Sequence, residues 1–352
     1  MSATIMLKDL GGAAMKVYAG IDLHSSNNYI GIINEKDERL FQKRLPNQLN
    51  YVLSALDPFK KDLESVVVES TYNWYWLVDG LMENGYSVNL ANPNAIQQYD
   101  GLKHTDDKWD SFWLAHLKRL DILPEGYIYP KEERHVRDAL RRRQLFVRHR
   151  TSHVLSLQSA ITRNHGYKMS AREIKRLNES DACRLFNDPF LVMTANNNIS
   201  VIRFLDNKID EIESEVLSHT KLRSEFDKLL TIPGIGKILG LTIMLEAGDI
   251  NRFPTVGKYS SYCRAVKSEK LSNNKKKGEG NRKNGNKYLS WAYVEAANAA
   301  KRSYPEINSF YERKKAKRNN IVAIKALSNK LARASYYVMR DKVSYNAEKL
   351  FR

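Results

Sequence analysis

The 352-residue chain is poor in cysteine and has no long apolar run. Its two cysteines, Cys183 and Cys263, are far apart and suggest neither a disulfide framework nor a cysteine-based zinc site. A reducing, cytoplasmic compartment fits that usage. No stretch of about 18 apolar residues occurs, so no membrane span is expected. The opening MSATIMLKDLGGAAMK lacks the apolar core and cleavage site of a signal peptide, and residues 1–16 read as a flexible leader. No internal repeat is present. Acidic residues are the scarcer charge, 40 against 57 Lys and Arg, giving a formal net charge of +17. A balance that basic points to a polyanionic partner, nucleic acid first and membrane surfaces second. Hydrophobic residues at 42% are enough for real cores, and the length suits two or three domains.

The early part of the chain alternates strand and helix patterns. VYAGIDLHSSNNYIGIIN (Val17 to Asn34) reads as strand, short loop, strand, and RLFQKRL as a third strand. SVVVES, a β-branched run, suits a buried strand. YNWYWLVDGLMENGY reads as a helix ending near Gly85, and SVNLANP as a strand stopped by Pro93. NAIQQYDGL and the Asp-rich segment after it are helical in composition. The pattern implies an α/β layer architecture over residues 17–128.

Two long amphipathic stretches follow, within residues 129–222. Leu140, Val147, Val154, Leu157 and Ile161 keep helical spacing in the first, and Ile202, Leu205, Ile209, Ile212 and Val216 in the second. They predict a helical hairpin or coiled-coil arm, whose apolar stripe serves internal packing or dimerisation. The remaining part, residues 223–352, is mainly helical and opens with LLTIPGIGKILGLTIMLEAGDINRF. Pro233-Gly234-Ile235-Gly236 between two helical runs is a helix-hairpin-helix pattern. Gly234, Gly236 and Lys237 would bring backbone N–H groups and a cation to a phosphate at a helix start. SEKLSNNKKKGEGNRKNGNKYL then reads as a mobile basic loop.

The acidic residues are few, yet some gather. HTDDKWDSFWLAHL sets Asp106, Asp107 and Asp110 within five positions. Asp107 and Asp110 share a helix face, and Asp106 points elsewhere. Asp22 ends the first expected strand and Glu69 ends SVVVES. Each residue alone is simply explained, as a turn former, a helix cap or a solvated helix start. Together, at two strand ends and on a helix face, four carboxylates would need a cation, and magnesium suits such hard oxygen ligands. Two such ions would favour phosphodiester chemistry. His24 and His104 flank these motifs; either could order a water or a phosphate, but both read as ordinary loop histidines with no catalytic role.

From Arg264 to Lys287 there are nine Lys or Arg residues and two acidic ones. They include Arg264, Lys275, Lys276, Lys277, Arg282, Lys283 and Lys287. Arg313, Lys314 and Lys315 belong to RKKAKR, and RRR at 141–143 forms a third cluster. Such groups read as phosphate contacts, which give affinity more than sequence choice. Any single lysine among them is as readily a solvated surface residue. The aromatic run Tyr72 to Leu77 offers stacking surface for bases, or a helix core.

GIDLHSS, VVVES, DDKWDSFWLA and LLTIPGIGKILGLTIMLEAGDINRF, in this order, resemble the DEDD insertion-sequence transposases, the bridge-RNA-guided recombinases. The resemblance spans about residues 17–345. It implies a ribonuclease H-like domain whose acidic residues map onto Asp22, Glu69, Asp107 and Asp110. It also implies a coiled-coil arm for assembly as a dimer or tetramer, donor and target DNA, a guide RNA, and a nucleoid-associated place in a prokaryotic cytoplasm. A serine in the C-terminal domain would attack DNA and become covalently joined to it. Ser272 falls at that position, with Ser268 the competing choice. Asn273 replaces the family's following glycine, and Arg264 and Lys267 replace a glycine and a proline of the preceding turn, whereas Gly285 and Asn286 keep a glycine-asparagine pair. The implied activity is serine-dependent, magnesium-assisted strand transfer, the loop folding over the acidic residues. The alternatives are a junction-resolving nuclease using water, and a non-catalytic nucleic-acid-binding scaffold.

Overall fold

The computed structural model describes residues 15–96, 107–220, 223–267, 269–273, 275–278 and 284–348. The chain forms two compact units, residues 1–129 and 130–352.

The first unit is a mixed six-stranded sheet in the order β3-β2-β1-β4-β5-β6. Its elements in chain order are β1 (Val17–Leu23), β2 (Asn27–Asn34), β3 (Arg39–Pro46), α1 (Leu49–Leu56), β4 (Leu63–Glu69), α2 (Tyr75–Glu83), β5 (Val88–Ala91), α3 (Asp107–Arg119) and β6 (Glu125–Gly126). β1 pairs antiparallel with β2 and parallel with β4, while β4 and β5 are parallel. β1 is buried nearly throughout, as its position at the sheet centre requires. β3 lies at the edge, and its exposed Arg39, Gln42, Lys43 and Arg44 discourage pairing with another chain.

Side chains alternate across this sheet. Val17, Ala19, Ile21 and Leu23 of β1, with Val66 and Val68 of β4, enter one core with Leu56 of α1 and Leu77 and Leu81 of α2. The other face carries α3, where Tyr18 and Ile33 pack on Phe112 and Ala115, and Val67 on Leu114. The helix comes so close that a Cβ on Gly20 would stand 2.0 Å from the Ser111 carbonyl oxygen. Glycine is required there by space.

The second unit begins with α4 (Lys131–His165), α5 (Ala171–Ile174), α6 (Glu179–Leu185) and α7 (Pro189–His219). α4 and α7 run antiparallel, joined by Arg143 Nη2 to Glu213 Oε1 at 2.6 Å, by Arg150 to Asp206, and by His153 Nδ1 to Asn198 Oδ1 at 3.0 Å. α7 starts 13 residues before Ile202, where the expected apolar spacing begins, because Asp188 caps the Phe190 and Leu191 N–H groups and Pro189 suits the first turn. Capping boxes at Ser170 and Asn178 start the short helices between the long ones.

The unit continues with α8 (Glu225–Leu229), α9 (Lys237–Ala247), α10 (Val256–Tyr262), β7 (Lys270–Ser272), β8 (Lys275–Gly278), α11 (Lys287–Ser303), α12 (Pro305–Lys317) and α13 (Asn320–Asp341). Leu140 of α4 and Val216 of α7 share one core with α8–α13. At its centre the Tyr259 and Tyr293 hydroxyls are 2.7 Å apart. Burial pushes both phenols and the Cys263 thiol well above their ordinary pKa values, so this cysteine stays an unreactive core residue. Among the described residues no helix is long and apolar enough to cross a membrane.

Candidate active site

Asp22 and Glu69 close two adjacent strands. The parallel register pairs Gly20 with Val67 and Ile21 with Val68, so the next step along both strands brings Asp22 beside Glu69. Alternation sends both side chains to the face that α3 crosses, the face of Gly20 and Val67. α3 runs against β1: its last turns meet the β2–β3 turn, where His116 Nδ1 and Arg119 Nε lie 2.9 and 3.5 Å from Asp37 Oδ1, and Ser111 lies over Gly20. Two residues along β1, from Gly20 to Asp22, cover about 6.6 Å. Four residues back along α3, from Ser111 to Asp107, cover about 6 Å in the same direction. Strand ends and helix start therefore reach one edge of the sheet.

Asp22 is buried, and Glu69 and Asp110 are half-buried. Asp107 starts α3, but its side chain is outside the described residues, as are Asp106 and His104. Segment NAIQQYDGL enters a turn at Asn94 and Ala95 and then also leaves the described residues. Among the described residues no group of three or more His, Cys, Asp or Glu side chains stands ready around one ion. Asp22, Glu69 and Asp110 nonetheless offer the hard carboxylate oxygens that suit a divalent cation.

The loop after Asp22 is braced by residues that the sequence reading passed over. His24 Nε2 lies 3.2 Å from Asp22 Oδ2. The His24 carbonyl accepts from Asn47 Nδ2 at 2.9 Å and from Asn73 Nδ2 at 3.0 Å. Buried Asn28 donates in turn to Asn47 Oδ1 at 3.1 Å. Three asparagines next to strand ends are the signal that was available, since this side chain both donates and accepts.

In the second unit, α8, the turn at Pro233–Gly236 and α9 form the expected helix, hairpin and helix. Gly234 owes its identity to packing: its φ is +81°, and a Cβ would stand 2.1 Å from the Ala296 carbonyl oxygen of α11. Gly236 and Lys237 are exposed at the start of α9, where no side chain caps the helix. That start, with its unpaired backbone N–H groups, is the part of the motif open to an anion.

The segment expected as a mobile loop holds a β-hairpin instead. Ser272 on β7 pairs with Lys275 on β8, and Leu271 with Lys276. The alternation of polar and apolar residues that marks most strands is missing here, which is why composition suggested a loop. Ser272 is exposed, and Ser268 lies outside the described residues. The departures from the family pattern keep a glycine-like backbone. Asn273 has φ +51° and Arg264 has φ +53°, the left-handed region that glycine enters freely and asparagine tolerates well. Arg264 Nε donates to the carbonyls of Asn284 and Gly285, both at 3.1 Å, so this arginine closes the base of the segment. Gly285 has φ +87°, and a Cβ would stand 2.6 Å from the Tyr262 carbonyl oxygen.

Asn286 does two jobs. Its Oδ1 accepts from the Tyr288 and Leu289 N–H groups, capping α11, and its Nδ2 donates to Glu246 Oε2 at 2.7 Å. Buried Glu246 also accepts from Arg141 Nε at 2.5 Å and Nη2 at 2.7 Å. Burial works against the Arg141 charge, but the Glu246 hydrogen bond and charge outweigh it and raise its pKa. Arg141 and Arg143 therefore serve the fold, and Arg142 alone of that trio is exposed. A lone carboxylate inside the apolar run GLTIMLEA was the sequence signal for a buried partner.

Lys275, Lys277, Lys287, Arg313, Lys314 and Lys315 are exposed, with Lys315 Nζ 3.1 Å from Glu312. The Lys276 side chain, Arg282 and Lys283 lie outside the described residues.

Comparison with known proteins finds family matches in both units. Residues 19–165 match a DEDD transposase family model described as "Transposase", and residues 227–312 match one described as "Transposase IS116/IS110/IS902 family". The chain is 24% identical over 336 residues to the transposase for insertion sequence element IS1328 of Yersinia enterocolitica, covering 91% of this chain and 95% of that one. It is 23% identical over 232 residues to the transposase for insertion sequence element IS1111A of Coxiella burnetii, covering 64% and 62%. Mixed sheet, helical C-terminal unit and both matches lead to one assignment: the chain belongs to the IS116/IS110/IS902 family of insertion-sequence transposases, enzymes that act on DNA.

Proposed function

We propose that this transposase exchanges DNA strands through a covalent serine intermediate, with Ser272 as nucleophile and Asp22, Glu69, Asp107 and Asp110 as ligands for magnesium. One observation carries the reading: two carboxylates end adjacent parallel strands on the face crossed by the helix that bears the other two. Three antiparallel strands leading into parallel β4 and β5 support a ribonuclease H-like domain over residues 17–128. The antiparallel pair α4 and α7 supports an assembly arm within residues 129–222, used by a dimer or tetramer on donor and target DNA. Residues 223–352 make up the C-terminal transposase domain with the helix-hairpin-helix and the serine segment.

A divalent cation, when bound, supplies charge stabilisation to the phosphate oxygens and lowers the cost of forming an alkoxide. The chain supplies the rest. Ser272 Oγ forms a bond to phosphorus while a phosphorus–oxygen bond of the strand breaks, and the serine proton is lost as the leaving oxygen gains one. One phosphodiester replaces another, so reversal on a new strand end rejoins DNA without ATP. Gly236 and Lys237 at the start of α9, together with Lys275, Lys276, Lys277, Arg282, Lys283, Lys287, Arg313, Lys314 and Lys315, contact phosphates. Gly234 and Arg264 support that surface from within. Backbone contacts of this kind carry little sequence choice, so target choice falls to base pairing with a guide RNA, which the protein would hold by its backbone.

The test incubates the protein with magnesium, the non-coding RNA of its element and matching DNAs, and looks for a DNA-linked protein band. The band should form, disappear in Ser272→Ala and persist in Ser268→Ala. Cleavage without any linked band would make water the nucleophile and sink the serine assignment.

A further inference from the structure

The aromatic run after Glu69 divides in the structure. Trp74 and Leu77 are buried, and Tyr75 and Trp76 pack against the sheet core. Tyr72 is 83% exposed, more than any other large hydrophobic side chain among the described residues. Single exposed aromatics are common on protein surfaces, but this one has an unusual mount. The Ser70 N–H donates to the Ala91 carbonyl at 3.0 Å, and the Thr71 N–H to the Glu69 carbonyl at 2.9 Å. On the other side, Thr71 Oγ1 donates to Asn73 Oδ1 at 2.9 Å, and Asn73 Nδ2 to the His24 carbonyl at 3.0 Å. The residues flanking Tyr72 are thus tied to the ends of β4 and β5 and to the loop that follows Asp22. A ring with an open face is held beside the ends of the strands that carry Asp22 and Glu69.

We propose that Tyr72 is a stacking platform for an unpaired DNA base beside the phosphate held at this acidic edge. The inference rests on reading that edge as the place where DNA is processed. In a duplex both faces of each base are covered by neighbours, so an aromatic ring at this position gains contact only when a base has left the stack. Base–aromatic stacking tolerates any sequence, because every base has a π-face. A ring on a fastened loop also loses little conformational freedom on binding. Tyr72 therefore distinguishes unpaired from paired DNA, which the basic clusters of the other unit do not.

The test uses the full chain with calcium in place of magnesium, so that the carboxylates keep a divalent cation, and two DNAs of one sequence. One is fully paired, and the other carries a short internal bubble with 2-aminopurine at an unpaired position. The wild-type protein should bind the bubble more tightly and quench 2-aminopurine fluorescence. Tyr72→Ala should weaken bubble binding about tenfold, equivalent to about 1.4 kcal/mol. It should also remove the quenching and leave duplex affinity within about twofold, well under the 1.4 kcal/mol that a tenfold change represents. Tyr72→Phe and Tyr72→Trp should retain both properties, and Tyr167→Ala, which removes an exposed tyrosine of the second unit, should change neither. Equal loss on paired and bubbled DNA, equal loss in the Phe and Ala variants, or a stronger Tyr72-dependent response to the same bubble made in RNA would each overturn the proposal. The DNA-linked band, assayed on the same preparations, separates the two ideas. A band with Tyr72-independent bubble binding removes only the platform. Tyr72-dependent quenching with no band from the wild type removes only the serine chemistry.

Discussion

The acidic edge of the first unit and the basic hairpin of the second differ in how much structure stands behind each side chain. Asp22 and Glu69 extend from strands whose neighbouring residues are buried, in a register set by hydrogen bonds on both sides. α3 is held by a close approach over Gly20. Ser272, by contrast, is exposed on a two-stranded ribbon of three and four residues. Such a ribbon is marginal without support, and this one is tied at its base by Arg264, Gly285 and Asn286. Carboxylates that must share a cation need positions fixed against their own repulsion, which only a core supplies. On the proposed reading, a nucleophile that joins DNA and later releases it is better served by a light element on a firm base.

That contrast can be broken most forcefully at the base. Arg141→Ala would strand the buried Glu246 carboxylate and cost about 3–5 kcal/mol, the usual penalty for halving a buried ion pair. Urea unfolding followed by the helical dichroism signal would read it, and Arg141→Met with Glu246→Leu should recover most of the loss. A single variant as stable as the wild type would mean that the network does not anchor the segment. The next effect belongs to the other unit. Gly20→Ala puts a Cβ 2.0 Å from the Ser111 carbonyl oxygen, and overpacking of this kind costs about 1–3 kcal/mol. Because α3 must shift, magnesium-dependent cleavage should fall at least about tenfold, the loss that about 1.4 kcal/mol of misplacement gives. Duplex affinity, measured by gel shift, should hold. The smallest effect sharpens the hairpin side. Asn273→Gly keeps the left-handed turn and should leave the yield of linked DNA within about twofold, whereas Asn273→Val, forced into φ +51°, should destabilise the turn by about 1–2 kcal/mol and lower that yield.

Much of this was legible before any coordinates. VYAGIDL, NNYIGIIN and LESVVVE announce themselves by β-branched runs between turns, and the apolar spacing of the two long helices predicts their pairing. The four carboxylates stood out because charge of that sign is scarce here. Other features were hidden for physical reasons. α1 is a short helix, and its two buried residues, Val52 and Leu56, are too few to show a period. The hairpin at Ser272 consists of polar and charged residues whose strand state comes from cross-strand hydrogen bonds rather than from an apolar face. The structural duties of Arg141 and Arg143 could not be read from RRR, because their carboxylate partners lie 105 and 70 positions away.

By itself the sequence determined the main strands and the long helices, which residue types can hold a cation or attack a phosphate, and a basic balance that suits a polyanionic partner. These are local properties of composition, spacing and charge. The tertiary structure alone decided that Asp22 and Glu69 share a face and that α3 starts at their edge. It also decided that Arg264 and Asn273 keep a glycine's backbone, and that one tyrosine of an aromatic run faces outward. Each of these depends on strand register or close approach between segments distant in the chain, and packing sets those contacts only once the whole unit has folded.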